Sequence, residues 1–384
     1  MNNIIEQNPL AITMWDFSWL ERRWPGAGYE NWDLNIKELT ERGYNAVRID
    51  AYPHLITNDL YKKWTLKQVW SQHDWGSPAM VEVSPYPSLL HFIEICAKYN
   101  VKVGLSTWYR EDLDNTRMKI TTPEIMIEQW AKTLNLIGKA GLLNSIFYID
   151  LCNEWPGALW SPFFTNNPPD KTWGNWYSDV SMNWMKESIE LFTKEFPEMP
   201  VGYSFDFRNK EMLLKKDLSF VDYGEPHIWM CQYNDGEFYK KVGYNYDLFK
   251  PDSYENLAAM GRKTFLENKI YWLNGLKEMI QDAEQYSQKY NQPLMTTECW
   301  GVVDYKDWPQ LEWDWIKEIC ALGVEESAKT GKWAAIASSN FCGPQFKGMW
   351  NDVKWHQQIT QVIKNAFICS DLLSTKLCKR NVPI

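Results

Sequence analysis

The chain has 384 residues, 45% of them hydrophobic and 23% charged, and 49 acidic against 40 basic residues give a net charge of −9. Phosphate binding needs a basic face, so this composition argues against nucleic acid as a partner. No apolar run is long enough to cross a bilayer, and residues 1–10 lack a signal-peptide pattern, so we expect no membrane partner and a cytoplasmic location.

Short apolar segments alternate with amphipathic segments along the chain. The apolar segments are rich in Val, Ile, Tyr and Phe, which is typical of strands buried on both faces. They predict strands at Leu10–Met14, Ala46–Ile49, Val101–Thr107, Ile146–Cys152, Val201–Phe205, Phe220–Met230, Pro293–Thr297 and Trp333–Ser338. The amphipathic segments predict helices that include Asn31–Arg42, Ser88–Tyr99, Pro123–Lys139, Trp176–Phe196, Leu311–Ser327 and Asn351–Ile368. Eight such units favour a (β/α)8 TIM barrel over a doubly wound open sheet, for which the sequence has neither a G-x-G-x-x-G motif nor a P-loop.

Two predicted connections are too long for simple loops. His54 to Pro87 contains a predicted hairpin, Leu66–Val69 with Met80–Val83, and Cys231 to Tyr254 is rich in Tyr, Asp, Lys and Gly. Both follow a strand, so in a barrel both rise from the catalytic face, where long loops are usually functional. We therefore expect one barrel domain over residues 1–384, with insertions at about 54–87 and 231–254.

Two glutamates stand directly after predicted strands, each with a tryptophan close behind. Glu154 precedes Trp155, and Glu298 precedes Trp300 by two residues. Burying a carboxylate is costly, so a glutamate in this position needs a reason. The carboxyl ends of barrel strands meet at one face, where two glutamates can act as a pair, as in a retaining glycoside hydrolase.

Other polar and aromatic residues follow the remaining predicted strands. They are Arg48, Asp50 and His54; Trp108, Tyr109 and Arg110; Asn153; Ser204 and Asp206; Glu225, His227 and Trp229; and Ser338, Ser339 and Asn340. Such convergence is expected where barrel enzymes keep their active sites.

Several of these positions together resemble glycoside hydrolase clan A, and most nearly its family 5, the cellulase-like enzymes. They are Gly43-x-Asn45-x-Val47-Arg48-Ile49, Asn153-Glu154, His227-x-Trp229 and Glu298. The resemblance covers roughly Leu10 to Gln345 and rests on order and position rather than on one long motif.

The resemblance implies that Glu298 is the nucleophile and Glu154 the general acid/base. It also implies that Asn153 binds the 2-hydroxyl of the sugar, that Arg48 lies beside Glu298 and that His227 lines the site. A neighbouring guanidinium lowers the pKa of a carboxyl group and a second carboxylate raises it. We therefore expect Glu298 to be ionised and Glu154 protonated at rest.

Three positions differ from the family pattern. Trp229 stands where a tyrosine is usual, Trp108-Tyr109 where a histidine is common, and Ser338-Ser339-Asn340-Phe341 where a tryptophan usually forms the sugar platform. The differences concern the sugar site and keep both glutamates. These three differences are also compatible with a degenerate barrel that binds carbohydrate without hydrolysing it.

Tryptophan is unusually frequent, with 23 residues. An indole offers an apolar face for the C–H groups of a sugar and an N–H donor for its hydroxyls. We expect about half of these rings in the core, as large aromatics commonly are. The predicted sugar contacts from aromatic and amide side chains are Trp108, Trp155, Trp229, Trp300 and Asn340, with Trp155, Trp160, Trp173 and Trp176 as candidates for the leaving-group side.

Other chemistries find less support. The five histidines are scattered, with no H-E-x-x-H motif, and the eight cysteines have no C-x-x-C spacing, so we expect no metal site and reduced, buried thiols. A serine hydrolase would need a G-x-S-x-G elbow, which the sequence lacks.

The sequence therefore predicts a retaining β-glycoside hydrolase that acts on oligosaccharides or small β-glycosides without a cofactor. A non-catalytic carbohydrate-binding protein on a degenerate barrel is the alternative. A barrel lyase or isomerase with one glutamate as base is a third reading, but we find neither a metal-binding carboxylate cluster nor a phosphate site for it.

Overall fold

Parallel strands close into a barrel that helices surround. The computed structural model describes residues 7–70, 76–165, 175–244, 251–305 and 311–382. Its strands are β1 (Leu10–Asp16), β2 (Ala46–Asp50), β3 (Trp64–Leu66), β4 (Val81–Val83), β5 (Lys102–Ser106), β6 (Ile146–Asp150), β7 (Val201–Gly202), β8 (Ser204–Asp206), β9 (Glu225–Trp229), β10 (Leu294–Thr296), β11 (Cys299–Trp300) and β12 (Trp333–Ala337). The order β10-β12-β1-β2-β5-β6-β7 continues through a second sheet, β8-β9-β11, and a parallel bridge from Gly224 to Leu294 completes the circuit. The predicted (β/α)8 barrel is confirmed.

Helices follow the barrel strands. They are α1 (Ser18–Glu21), α2 (Trp32–Glu41), α3 (Pro53–Asn58), α4 (Pro85–Lys98), α5 (Pro123–Lys139), α6 (Pro162–Thr165), α7 (Asp179–Glu195), α8 (Met212–Lys215), α9 (Tyr233–Val242), α10 (Pro251–Glu267), α11 (Lys269–Tyr290), α12 (Asp314–Ala328), α13 (Lys347–Trp350), α14 (Val353–Asn365) and α15 (Lys376–Arg380). No helix in the described ranges is both long and apolar enough to cross a bilayer.

Local capping explains where several helices begin. The side chain of Thr122 accepts a hydrogen bond from the backbone of Ile125, and Pro123 occupies the first turn, so α5 has the predicted bounds. Asn31 caps α2 in the same way. The residues that form a helix cap are close together in the sequence, so the start of such a helix can be predicted from the sequence.

Three stretches differ from the predicted elements. The predicted hairpin is present, but its strands are β3 and β4, and the tip at residues 71–75 lies outside the described ranges. The predicted connection at 231–254 contains α9, residues 245–250 lie outside the description, and α10 and α11 were not among the predicted helices. The predicted seventh strand stops at Thr296, and β11 resumes the pairing after Glu298.

The barrel interior contains polar side chains below the strand ends. Every residue of β2 is buried, and Arg48 lies there without exposed surface. Gly104 in β5 leaves room for the ring of Tyr148, because a Cβ atom there would lie 2.2 Å from Cε1 of that ring. An interior of this kind places charged groups under the functional face of the barrel.

Candidate active site

Two carboxyl groups and one imidazole meet at the carboxyl ends of the barrel strands. Glu154 lies just beyond β6, Glu298 lies between β10 and β11, and His227 lies in β9. Nδ1 of His227 is 3.0 Å from Oε1 of Glu154 and 3.7 Å from Oε2 of Glu298. One oxygen of each carboxyl group lies within 4.8 Å of the other. The structure thus brings both predicted glutamates and the predicted histidine into one cluster.

The backbone fixes Glu154 in an uncommon conformation. Its φ of +46° lies in the left-handed region, which a non-glycine residue keeps only where its surroundings hold it. The backbone N–H of Glu154 donates to Oγ of Ser204 in β8, at 3.0 Å. The neighbouring strand therefore helps to aim the carboxyl group toward His227.

Arg48 connects the site to the strands beneath it. Its Nη1 donates to Oε1 of Glu298 at 3.1 Å, and its Nη2 donates to Oδ1 of Asn153 at 2.8 Å and to Oδ2 of Asp150 at 2.5 Å. The guanidinium is fully buried, so these bonds are protected from solvent and salt. Arg48 thereby fixes Glu298 and Asn153 relative to each other.

Burial and a neighbouring charge favour the protonated form of Glu154. Burial raises its pKa to about 8, and the charge of Asp206 raises the pKa in the same direction, while Arg208 and Arg48 oppose it. We expected the second glutamate to be the main cause; burial and Asp206 act more strongly. At neutral pH Glu154 therefore carries the proton that a general acid needs.

Glu298 has a different environment. Burial raises its pKa above the ordinary value and outweighs the opposing charge of Arg48, so the expectation that Arg48 would hold this pKa low is wrong. The N–H of Arg48 nevertheless gives Glu298 a charge-assisted hydrogen bond, whereas the described side-chain partner of Glu154 is an imidazole. Burial lowers the pKa of His227 to about 4, so that imidazole is neutral at pH 7. Glu298 is accordingly the more readily ionised carboxyl group of the two.

Three further predicted residues lie around this cluster. The ring of Trp108 stacks on Arg48, with the guanidinium carbon 4.6 Å from the ring centroid. Trp229 is buried at the end of β9, two residues after His227 and so on the same side of the strand. The backbone N–H of Asn340 donates to the carbonyl of Cys299, and its buried Oδ1 has no hydrogen-bond partner within the described ranges.

Two predicted sugar contacts point away from the site. The indole N–H of Trp155 donates to Ser181 in α7 at 2.8 Å, and its ring is 1% exposed. The indole N–H of Trp300 donates to the carbonyl of Ala337 at 2.8 Å, and its ring lies against Gly323 in α12. Both rings pack between the barrel and its helices, which corrects the prediction that they bind sugar.

Replacing Trp155 with phenylalanine is expected to lower the free energy of unfolding by about 1–3 kcal/mol, because Ser181 loses its buried partner. Urea unfolding measures this loss, and we expect KM for a cleaved glycoside to stay unchanged. A raised KM without a loss of stability would instead place the indole in contact with the sugar.

Of the other three tryptophans predicted for the leaving-group side, two lie in the described ranges and one does not. Trp160 is buried against Trp70, with the ring centroids 5.0 Å apart, and Trp176 is buried against Phe205. Trp173 lies outside the described residues. Trp160 and Trp176 therefore pack against other aromatic rings in the structure.

Several residues of the site were noted in the sequence without a chemical role. Asp206 ends β8 and raises the pKa of Glu154, and Asp150 at the end of β6 binds Arg48. Glu225 opens β9, and Thr297 directly precedes Glu298. Glu225 and His227 share one face of a strand because they are two residues apart, and that spacing was the available signal.

Glu154, His227 and Glu298 are also the one set of His, Cys, Asp or Glu residues in the described ranges with three ligand-type atoms this close together. Their contacts are those of an acid and a base oriented by a neutral histidine. The arrangement is suited to acid–base chemistry, and the absence of a metal stays an expectation from the sequence.

Comparisons with known proteins agree with this geometry. The model of the cellulase-like family, described as sugar-binding cellulase-like, matches residues 12–364. A candidate glycoside hydrolase from Parabacteroides distasonis ATCC 8503 is 51% identical, with a TM-score of 0.95 over 97% of this chain and 99% of that chain. No curated protein gives a significant match.

More distant structures share the fold alone. The endo-β-1,4-mannanase from Thermotoga petrophila is 10% identical, with a TM-score of 0.55 over 93% of this chain and 77% of that chain. The cellulose synthase subunit Z from Clostridioides difficile is 12% identical, with a TM-score of 0.53 over 93% of this chain and 99% of that chain. Because the family model spans most of the sequence and the resemblance inferred from the strand ends agrees with it, the chain belongs to the cellulase-like family.

Proposed function

We propose that the protein is a retaining β-glycoside hydrolase that cleaves oligosaccharides or small β-glycosides. The observation that carries this proposal is the pair Glu154 and Glu298, which face each other at the barrel mouth within 4.8 Å, oxygen to oxygen. Retaining enzymes keep their carboxyl groups about 5–5.5 Å apart, because one of them must reach the sugar directly, and inverting enzymes need about 6.5–9.5 Å for a water molecule.

In the first step, an oxygen of Glu298 attacks the anomeric carbon. The bond to the leaving group breaks, and the leaving oxygen takes the electron pair together with the proton of Glu154. Arg48 holds the carboxylate of Glu298 in place through its Nη1, and the same Nη1 donates to the hydroxyl of Thr297. The product of this step is a glycosyl ester of Glu298.

In the second step, Glu154, now ionised, takes a proton from water, whose oxygen attacks the anomeric carbon and releases Glu298. Formation of the ester removes the negative charge of Glu298, so the pKa of Glu154 falls between the two steps. Nδ1 of His227 contacts both carboxyl groups and orients them through the exchange.

Amide groups supply the proposed sugar contacts. Oδ1 of Asn153 accepts a hydrogen bond from Arg48. This contact leaves the amide N–H groups of Asn153 to donate to a sugar hydroxyl. Asn340 has a buried carbonyl oxygen that can accept from a second hydroxyl. Trp108, which stacks on Arg48, and Trp229, two residues after His227 in β9, are the proposed aromatic contacts.

A panel of aryl β-glycosides (glucoside, galactoside, mannoside, xyloside and fucoside) tests the function. We expect hydrolysis of at least one, with a first-formed sugar of β configuration by NMR. An α-configured first product would contradict retention. Sugar binding without turnover would favour the alternative of a sugar-binding protein, which the description of the family also admits.

A further inference from the structure

A third glutamate lies beneath the proposed pair. Glu225 begins β9 and is fully buried, two residues before His227 on the same face of the strand. Its Oε1 accepts a hydrogen bond from Oγ1 of Thr297 at 2.6 Å and lies 3.8 Å from Nε of Arg48. Its Oε2 has no hydrogen-bond partner in the part of the chain that the structure describes.

Thr297 links this carboxyl group to the proposed nucleophile. Nη1 of Arg48 donates both to Oγ1 of Thr297, at 2.9 Å, and to Oε1 of Glu298, at 3.1 Å. Because the hydroxyl of Thr297 accepts from Arg48, its own hydrogen points to Glu225. Glu225 therefore stands one side chain away from Glu298 by two routes, through Thr297 and through Arg48.

The charges around Arg48 do not balance if every carboxyl group is ionised. One guanidinium faces three carboxyl groups, those of Asp150, Glu225 and Glu298. A buried excess of negative charge is costly, so one of the three retains a proton. The titratable and charged groups that face Glu225 are Arg48 from β2, Tyr148 and Asp150 from β6, Tyr223 before β9, and Glu298 beyond β10.

Glu225 is the group best placed to retain that proton. Asp150 accepts from Arg48, Ser106 and two groups of Ser204, and Glu298 accepts from Arg48 at hydrogen-bond distance. Glu225 accepts from the neutral hydroxyl of Thr297, faces the neutral hydroxyl of Tyr148, and lies beyond hydrogen-bond distance of the guanidinium. Burial raises the pKa of Glu225 to about 8, which agrees with this placement.

We propose that Glu225 is a positioning residue for Glu298. Protonated Glu225 leaves the guanidinium of Arg48 free to bind Glu298. Ionised Glu225 competes with Glu298 for Arg48 and disables the nucleophile. The inference rests on the proposed function, in which Glu298 attacks the sugar. Loss of the proton adds a negative charge beside Arg48, which favours the protonated form of Glu298 and draws Arg48 away from it. A protonated or displaced carboxyl group cannot attack the anomeric carbon.

The test isolates the first step of the reaction. A dinitrophenyl 2-deoxy-2-fluoro-β-glucoside and its galactoside and mannoside counterparts transfer their sugar to the nucleophile, forming the bond to Glu298 while dinitrophenolate leaves with the electron pair. Dinitrophenolate needs no proton, so this step does not use the acid function of Glu154, and the charge that Glu154 gains at high pH acts on Glu298 whether or not Glu225 can ionise. The rate of labelling is measured from pH 6 to pH 9 by intact-protein mass spectrometry, in conditions where circular dichroism shows the folded protein.

In the wild type we expect the labelling rate to fall by about tenfold between pH 7 and pH 9, as a group with a pKa near 8 ionises. In Glu225→Gln, where residue 225 cannot ionise, we expect a markedly smaller fall, caused by the charge of Glu154 alone. Glu284→Gln makes the same change in a buried glutamate of α11, which accepts a hydrogen bond from the indole of Trp333. We expect the ratio of its two labelling rates to match that of the wild type. Equal ratios in the wild type and Glu225→Gln would overturn the inference.

Thr297 provides an independent check if Glu225→Gln fails to fold. Thr297→Val removes a hydrogen bond that lowers the pKa of Glu225, so we expect the fall in labelling rate to move to higher pH, and Thr297→Ser is expected to restore the wild-type profile. Unchanged labelling in Thr297→Val would contradict the inference. Absence of any label on Glu298 in the wild type, at every pH and with all three donors, would reject the proposed function itself and the inference with it.

Discussion

Replacing Glu298 with glutamine is expected to lower kcat/KM for every cleaved aryl glycoside by about 10⁴-fold or more, the scale seen when a covalent nucleophile is removed. Glutamine keeps the size of the side chain and an oxygen that can accept from Arg48, whose Nη1 lies 3.1 Å from Oε1 of Glu298. It cannot supply an anionic nucleophile. Steady-state kinetics measure the loss, and peptide mapping after labelling of the wild type with a 2-fluoro glycosyl donor locates the ester.

Glu284→Gln is the matched control for this variant. Glu284 is also buried, and it accepts from the indole of Trp333 and the hydroxyl of Thr330, at the opposite end of β12 from the site. We expect wild-type kinetics for Glu284→Gln. Labelling of a residue other than Glu298, or substantial turnover by Glu298→Gln, would refute the assignment of the nucleophile.

The barrel could be predicted from the sequence because its signals are local. The Thr-Pro-Glu start of α5 contains its own cap, and the apolar runs of β2, β5, β6 and β12 are bounded by turn-forming residues. The break in the seventh strand was not predictable in this way. It depends on how the chain around Glu298 leaves the pairing with β12 and joins β9, and that depends on other strands.

Much of the site followed from the fold. Once the strands are parallel and closed, residues at or just beyond their carboxyl ends must meet. Glu154, His227 and Glu298 do so, with Arg48 beneath them in β2. The direction of an aromatic side chain is a different matter. Trp155 directly follows Glu154 in sequence, yet its ring turns to Ser181 in the helical layer, because a loop residue can face either side of its strand end.

The pKa expectations were wrong where they did not take the burial of the carboxyl groups into account. The resemblance to clan A implied that Arg48 would lie beside Glu298, and a guanidinium lowers the pKa of a carboxyl group. It did not show that both glutamates would be buried enough for desolvation to outweigh their charged neighbours. It also gave no sign that Glu225 would share Arg48 with Glu298, since depth inside the barrel is not encoded in spacing.

The second large effect concerns Glu154, and it should depend on the leaving group. In Glu154→Gln we expect kcat/KM for phenyl and alkyl glycosides to fall by about 10²–10⁴-fold, since general acid catalysis contributes on that scale. For dinitrophenyl glycosides we expect a far smaller loss of kcat/KM, because their leaving group departs without a proton. Kinetics across a series of leaving groups of decreasing pKa measure the difference.

The same assignment fixes the sign of the pH dependence. Glu154 must be protonated for the first step, and burial raises its pKa to about 8. Activity of the wild type on a phenyl glycoside should therefore fall as pH rises through about 8. Glu225 ionises over the same range, so the residual activity of Glu154→Gln on that substrate should still fall, but less steeply. The fall should be lost in the double variant Glu154→Gln/Glu225→Gln. Azide should accelerate Glu154→Gln on dinitrophenyl substrates and yield a β-glycosyl azide, since azide attacks the ester of Glu298 without needing a base. If Glu154→Gln lost equal activity on phenyl and dinitrophenyl substrates and did not respond to azide, Glu154 would have a structural role and the acid/base would lie elsewhere.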